Sequence, residues 1–177
     1  MPPWMQDAEI CRLLDEIQSD IDGEHEAFAR RDFECKLEHH RNIKPLLGKR
    51  DGLVRRAVEC YWARALANYR PGAALLPVDA LGRPDTRWLR SLEVDYLPEY
   101  GYRVHMELNE NEFVQNTALT KKAYLGRRDV ERSGVRWKGD LRCAVLGFFE
   151  TDTQDLDIFD ILYELYVNSA FYFLKSP

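Results

Sequence analysis

The feature that most constrains the fold is a helix-favouring stretch that runs from about residue 6 to residue 56, with no proline before Pro45. Proline inside a helix removes a backbone hydrogen bond, so we expect a kink or a new segment at Pro45. Apolar residues recur along the stretch at steps of three, four and seven, which is the spacing of a coiled-coil seam: Ile10, Leu14, Ile17, Ile21, Phe28 and Cys35.

The length of this helix indicates how its seam is covered. Forty residues at 1.5 Å each give roughly 60 Å, which is longer than a domain of this size is wide. We therefore expect the remainder of the chain to leave part of the seam uncovered, and a second copy of the same helix is the simplest cover. We predict a homodimer, with an antiparallel hairpin broken at Gly23 as the alternative.

The rest of the sequence predicts an α+β fold. A long N-terminal dimerisation helix, residues 5–56, is followed by a second domain, residues 57–177, of antiparallel strands capped by helices. Period-two alternation is clearest from Tyr102 to Leu108, and a charged loop through Arg127, Glu131 and Gly134 separates the last two predicted strands. The expected elements are a helix at 57–69, strands at 88–94, 102–108, 119–125 and 135–137, and a closing helix at 155–174.

Charge is distributed unevenly along the 177 residues, whose net charge is −5. Residues 1–26 carry a net −7, residues 27–149 a net +7 and residues 150–177 a net −5. The overall sign disfavours a general nucleic-acid binder, which would normally be basic. The acids of the last block are consistent with a solvated face or a cation-binding surface, and a charge run is more often only a solvated helix face.

Several function classes find no support in the sequence. No apolar run approaches the roughly 20 residues of a membrane span, and the N-terminus lacks the pattern of a signal peptide. No nucleophile, phosphate-loop or zinc-protease motif occurs, so we predict no enzyme and no cofactor. Cys35, His39 and His40 share a helical region, but no second ligand pair accompanies them, and we predict no metal.

The four cysteines stand far apart, with no CxxC pair. Three of them, Cys11, Cys35 and Cys60, fall in helical stretches with apolar neighbours, where we expect a small buried thiol. Unpaired thiols favour a reducing compartment, the cytosol or the nucleus.

A longer pattern lies in the middle of the chain. Gly101-Tyr102-Arg103-Val104 is followed by Glu110-Asn111-Glu112-Phe113-Val114-Gln115-Asn116-Thr117-Ala118-Leu119-Thr120-Lys121. This resembles the nucleosome assembly protein/SET family of histone chaperones, whose pattern is G-Y-x-hydrophobic and then E-N-x-[FY]-F-x-N-x-x-L-x-K. Supporting matches lie on both sides of this pattern and in the right order: Lys44 to Arg50, Val58 to Trp62 with Asn68-Tyr69, Val135 to Lys138, and Phe148-Phe149.

The sequence departs from the family pattern at three places. Glu59 replaces a proline, Glu150-Thr151 replace W-F, and Tyr166 to Ser169 replace W-P-x-P. The family's long acidic C-terminal tail is not in the sequence. The short chain is closer to the SET branch.

The resemblance implies a non-catalytic histone chaperone that is nuclear or shuttles with the cytoplasm. Family members dimerise through the long helix, and each protomer carries an "earmuff" domain whose acidic surface receives core histones. For this chain it implies contact residues Glu150, Asp152, Asp155, Asp157 and Asp160, with Glu107, Glu110 and Glu112 as second choices. The aromatic residues Trp62, Trp88, Trp137, Phe148 and Phe149 are expected in the core.

Two other partner classes stay open. One is a scaffold role for a histone acetyltransferase or a phosphatase, as for SET-like members. The other is weak DNA contact through the basic residues Arg127, Arg128, Arg132, Arg136 and Lys138, which the acidic flanks oppose.

Overall fold

The computed structural model describes residues 3–78, 81–127 and 129–175, with side chains described from residue 7 onward. Helix α1 covers Pro3–Ala57, 55 residues, and Pro45 lies inside it. The expectation of a new segment at Pro45 is wrong, because losing one helical hydrogen bond does not end a helix that has helix formers on both sides. The alternative of a hairpin broken at Gly23 is also wrong, since α1 is continuous there.

The chain forms two compact units, residues 1–39 and residues 40–177. The first is the N-terminal part of α1, and the second contains the last part of α1 and everything that follows. Its other helices are α2 (Tyr61–Asn68), α3 (Arg70–Ala73), α4 (Ala144–Gly147), α5 (Leu156–Val167) and α6 (Ser169–Leu174). Its strands are β1 (Leu89–Leu97), β2 (Gly101–Leu108), β3 (Ala118–Tyr124) and β4 (Asp129–Arg132).

The strands form one antiparallel sheet in the order β1-β2-β3-β4. Val94 is paired with Val104 and Met106 with Leu119, and all four side chains are buried on one face of the sheet. The opposite face is polar, because alternate residues of a strand point to opposite sides. On that face Glu93 pairs with His105 and Asp95 with Arg103. The core lies against the apolar face, and on the polar face the last part of α1 contacts Asp95 through His40 and Lys44.

Aromatic side chains join the helices to this core. The ring centroid of Tyr102 on β2 lies 4.4 Å from that of Phe159 on α5, and Tyr61 on α2 lies 4.8 Å from Phe173 on α6. The predicted core aromatics are confirmed: four are buried, and the fifth is partly buried against the core (Trp62, Trp88, Phe148, Phe149 and Trp137).

Two predicted elements differ in the structure. Residues 135–137 form no strand, because Trp137 makes only an isolated bridge to Val114 in the loop after β2. The fourth strand is β4, inside the predicted charged loop, where Val130 is the only apolar residue and period-two alternation is therefore hidden. The closing helix 155–174 is two helices, α5 and α6, that meet at Asn168.

The prediction of buried thiols is wrong for all three cysteines to which it applied. Cys11, Cys35 and Cys60 are exposed, and only Cys143 is buried, where burial raises the pKa of its thiol. Cys11 and Cys35 lie on the N-terminal part of α1, and Cys60 lies in the turn before α2. Among the described helices, none combines the length and apolar character required to cross a membrane.

Candidate functional site

The apolar seam of α1 is uncovered in the single chain. The predicted interface residues Ile10, Leu14, Ile17, Ile21 and Phe28 are 53, 60, 56, 43 and 63% exposed, and Cys35 is exposed as well. Monomeric proteins seldom expose a contiguous line of large apolar side chains, so this stripe has the character of an interaction surface. The charged residues beside it pair within the helix, as in Arg12 with Glu16 at 2.5 Å and Arg30 with Glu26 at 2.8 Å.

Charge divides α1 into two parts. Residues 7–26 carry eight acidic residues and one basic residue, whereas residues 27–57 carry nine basic residues and four acidic ones. The first part is thus strongly acidic and the second basic. A surface of this kind is complementary to a second copy of itself running in the opposite direction.

The acidic segment that begins at Glu150 is engaged within the domain. Glu150 accepts a hydrogen bond from Trp137 Nε1 at 3.1 Å, and Asp152 forms an ion pair with Arg132 at 2.7 Å. That ion pair lowers the pKa of Asp152. Asp155 caps α5, since its carboxylate accepts a hydrogen bond from the Ile158 amide at 3.2 Å. These three predicted contact residues therefore also hold the local structure.

Two further predicted acids lie on α5 itself. Asp157 is exposed in the first turn of the helix, and Asp160 is exposed one turn later. An acid in the first turn interacts favourably with the helix dipole. Both carboxylates are exposed to solvent on α5.

Lys121 fixes the start of the acidic segment. It lies on the apolar face of β3 with no exposed surface, and its Nζ donates to the carbonyls of Phe148 at 2.9 Å and Thr153 at 2.8 Å. Burial lowers the pKa of Lys121, while nearby Asp155 and Asp152 act in the raising direction. The lysine of the family pattern therefore has a structural task, which is to tie the loop that carries Glu150 and Asp152 to the sheet.

The two asparagines of the pattern shape the loop between β2 and β3. Asn111 Oδ1 accepts hydrogen bonds from the amides of Phe113 and Val114, both at 2.9 Å, and directs these two residues into the core. Asn116 Oδ1 accepts from the Arg136 amide at 2.8 Å. The loop that carries Glu110 and Glu112 is thereby held to its neighbours on both sides.

The second-choice acids separate into two places. Glu107 accepts a hydrogen bond from Ser91 Oγ at 3.0 Å and lines a cleft of about 540 Å³ at the polar face of the sheet, where Asp51, Glu59 and Glu93 also lie. Three arginines, Arg55, Arg87 and Arg90, line the same cleft, so its charge is mixed. Glu110 and Glu112 are exposed and line a different cleft. Neither cleft is lined by an acid of the 150–160 segment.

A buried ionic cluster on the polar face was not predicted. Asp95 accepts hydrogen bonds from Lys44 at 2.7 Å and Arg103 at 2.5 Å, and it lies 3.0 Å from His40 Nε2. Burial alone would raise the pKa of Asp95, but the hydrogen bonds from His40, Lys44 and Arg103 together hold it well below its usual range. The alternation of Leu92, Val94 and Tyr96 could have placed Asp95 on the polar face, but it could not reveal that α1 covers it.

Of the four described basic residues predicted for DNA contact, three are engaged within the domain. Arg132 is paired with Asp152, Arg127 with Glu99, and Lys138 Nζ donates to the Asn111 carbonyl at 2.5 Å. Arg136 is exposed, and Arg128 lies outside the described residues. This arrangement gives little support to DNA contact at this surface.

Known proteins match the chain in sequence and in fold. It is 60% identical over 171 residues, 96% of each chain, to an uncharacterized protein of Encephalitozoon cuniculi. It is 24% identical over 144 residues to Protein SET of Drosophila melanogaster, a match that covers 75% of this chain and 52% of Protein SET. No family model matches the sequence.

Among solved structures, nucleosome assembly protein S of Plasmodium falciparum superposes with a TM-score of 0.56 at 21% identity. The superposition covers 96% of this chain and 99% of that one. At this identity the likeness concerns the fold, which is the long helix followed by an antiparallel sheet with helices.

Proposed function

We propose that the chain is a member of the nucleosome assembly protein/SET family and a histone chaperone that acts as a homodimer. The observation that carries the proposal is the fold likeness over 96% of the chain, joined to the distant sequence match with Protein SET. In this role the protein shields basic histones without catalysing a reaction, and it acts in the nucleus.

The exposed stripe on α1 supports the dimer. A second copy would remove Ile10, Leu14, Ile17, Ile21 and Phe28 from water, and burying a large aliphatic or aromatic side chain stabilises by about 1.5–3 kcal/mol. Sedimentation of the double variant Ile17→Glu, Ile21→Glu tests this. We expect a monomer or an unfolded chain, and an unchanged dimer would contradict the proposed interface.

The charge division of α1 supports an antiparallel pairing. An antiparallel partner places the acidic residues 7–26 of each copy beside the basic residues 27–57 of the other. Leu46 and Leu53 are 62 and 59% exposed, and they are seven residues apart. If the two-fold axis of the dimer lies at Phe28, Leu46 of a second copy would lie against Ile10. The basic half of the helix would then also bury apolar side chains in the dimer.

The exposed carboxylates of the earmuff domain are the proposed contacts for histone lysines and arginines. A single exposed ion pair contributes only about 0–1 kcal/mol, so affinity requires several carboxylates acting together. Asp157 and Asp160 are the proposed principal contacts because both are exposed on α5, and the other acids of the segment support them.

Titration with each purified core-histone pair tests the histone proposal. We expect affinity to fall steeply with salt, and to fall further in the double variant Asp157→Asn, Asp160→Asn. The matched control is Asp15→Asn, Asp20→Asn, which removes the same charge from exposed positions of α1. Binding that ignores both salt and the α5 substitutions would contradict the assignment.

A further inference from the structure

The cleft beside the β2–β3 loop combines apolar and acidic residues. It measures about 370 Å³, and Pro77, Val78, Trp88, Phe113 and Leu141 form its apolar part. Trp88 and Phe113 are buried, whereas Val78 and Leu141 are 64 and 54% exposed. The cleft therefore offers apolar surface to a partner, and its volume is at the small end of the range for ligand pockets, about 300–1,000 Å³.

Carboxylates stand around this apolar surface. Asp85, Glu110 and Glu112 line the cleft, and Arg87 is the one cation among its described lining residues. Glu110 and Glu112 are exposed, and the described residues show no ion pair for either of them. The charge of the lining is thus negative, and it favours a partner segment that carries positive charge.

The walls of the cleft are fixed before any partner arrives. Asn109 Nδ2 donates to the Arg87 carbonyl at 2.9 Å, and the Asn109 amide donates to the Trp88 carbonyl at 2.9 Å. On the other side, the Lys138 amide donates to the Phe113 carbonyl at 2.8 Å. A preformed wall lowers the entropy lost on binding, because no loop has to be ordered.

We propose that this cleft binds a basic segment of a partner protein in which one aliphatic side chain is flanked by lysine or arginine. The aliphatic side chain contacts Val78 and Leu141, and the flanking cations approach Glu110 and Glu112. The proposal rests on the proposed histone-chaperone function and deepens it, since it assigns the partner a mixed apolar and charged contact in addition to the α5 surface.

Two synthetic peptides test the cleft directly. Both are rich in lysine and arginine, and they differ only at one central position, which is leucine in one and serine in the other. We expect the native protein to bind the leucine peptide about five- to tenfold more tightly, which corresponds to removing part of one aliphatic side chain from water. The variant Leu141→Ser should lose that preference, and Val78→Ser should reduce it.

Salt separates the two contributions. The double variant Glu110→Gln, Glu112→Gln should weaken the leucine peptide about three- to tenfold at 0.1 M salt and much less at 0.5 M, because salt screens exposed charges. The preference for leucine over serine should persist at both concentrations. The matched controls are Glu131→Gln and Leu174→Ser, which change exposed residues away from the cleft.

The outcomes distinguish this inference from the function on which it rests. If the histone pairs bind but the native protein does not discriminate between the peptides, the cleft proposal is wrong and the chaperone proposal stands. The cleft proposal would also be wrong if Leu174→Ser and Leu141→Ser changed the preference for the leucine peptide equally. If the native protein binds neither histone pair, the proposed function fails, and the peptide preference then reports on the cleft alone.

Discussion

Asp95 Oδ1 lies 3.0 Å from His40 Nε2, with both side chains only 2% exposed, and this contact joins the C-terminal part of α1 to strand β1 within the second compact unit. Lys44 and Arg103 bind the same carboxylate. Removing one member of a buried ionic group leaves the others without compensation, which costs about 3–5 kcal/mol. We expect Asp95→Asn to lower the free energy of unfolding by about 3 kcal/mol. This is the low end of the range, because the side chains of Lys44 and Arg103 are partly exposed to water. Chemical denaturation measures this.

The effect of Asp95→Asn on stability should depend on pH. The pKa of Asp95 is held below its usual range, so its stabilising contribution is complete above the ordinary value of 3.8 and is lost as the pH falls toward the lower value of the folded state. The difference in unfolding free energy between native protein and Asp95→Asn should therefore be constant from pH 7 to about 5 and shrink below about 4. If this difference in unfolding free energy grew as the pH fell, the ionised carboxylate of Asp95 would not be the form that stabilises the fold.

Lys121→Met tests the attachment of the acidic loop to the sheet. Methionine fills a similar space but cannot donate to the Phe148 and Thr153 carbonyls, and an unsatisfied buried acceptor costs about 1–3 kcal/mol. We expect faster amide hydrogen exchange in residues 149–153 and a loss of stability of about that size. Lys122→Met is the control, since it removes the same charge from the polar face of the same strand. Equal protection of the loop in both variants would rule out the attachment.

Replacing each of two buried tyrosines with phenylalanine should change stability in different ways. Tyr61 Oη lies 2.9 Å from Ser169 Oγ, whereas Tyr102 Oη has no hydrogen-bond partner among the described residues, and burial raises the pKa of Tyr102 to about 12. Tyr61→Phe should cost about 1 kcal/mol, and Tyr102→Phe should leave stability unchanged or raise it. Thermal unfolding of the two variants, compared side by side, measures the contrast. A loss in Tyr102→Phe as large as that in Tyr61→Phe would mean that the hydroxyl is satisfied.

Cross-linking tests the antiparallel pairing of α1. With the two-fold axis at Phe28, Ile21 lies opposite Cys35 of the second copy, whereas the two Cys35 residues are about 21 Å apart along the helices. In a background of Cys11→Ser and Cys60→Ser, the added substitution Ile21→Cys should give a disulfide-linked dimer on a non-reducing gel. The background alone, with Cys35 retained, should stay unlinked. A parallel dimer would link the background through its own Cys35 pair.

The sequence predicted those elements whose side chains repeat at a regular spacing. The steps along Ile10, Leu14, Ile17 and Ile21 predicted the long helix, and the alternation from Tyr102 to Leu108 predicted β2. β4 was not predicted, because its single apolar residue, Val130, cannot show an alternation of apolar and polar residues.

Contacts between distant segments were beyond the reach of such patterns. Local spacing could not show that Lys121 donates to a carbonyl 27 residues away, or that His40 meets a carboxylate 55 residues away. For the same reason the predicted acids looked equivalent in the sequence. In the structure, Asp155 caps a helix, Asp152 pairs with Arg132, and Asp157 is exposed and takes part in neither contact.

The central claim is that two copies of this chain, joined through α1, bind core histones. Sedimentation of the native protein mixed with a purified core-histone pair at 0.15 M salt tests both halves of the claim together. We predict a complex whose mass includes two copies of the 20.8 kDa chain and at least one histone pair, and which dissociates into dimer and histones as salt is raised. A 20.8 kDa monomer that sediments apart from the histones would contradict the account.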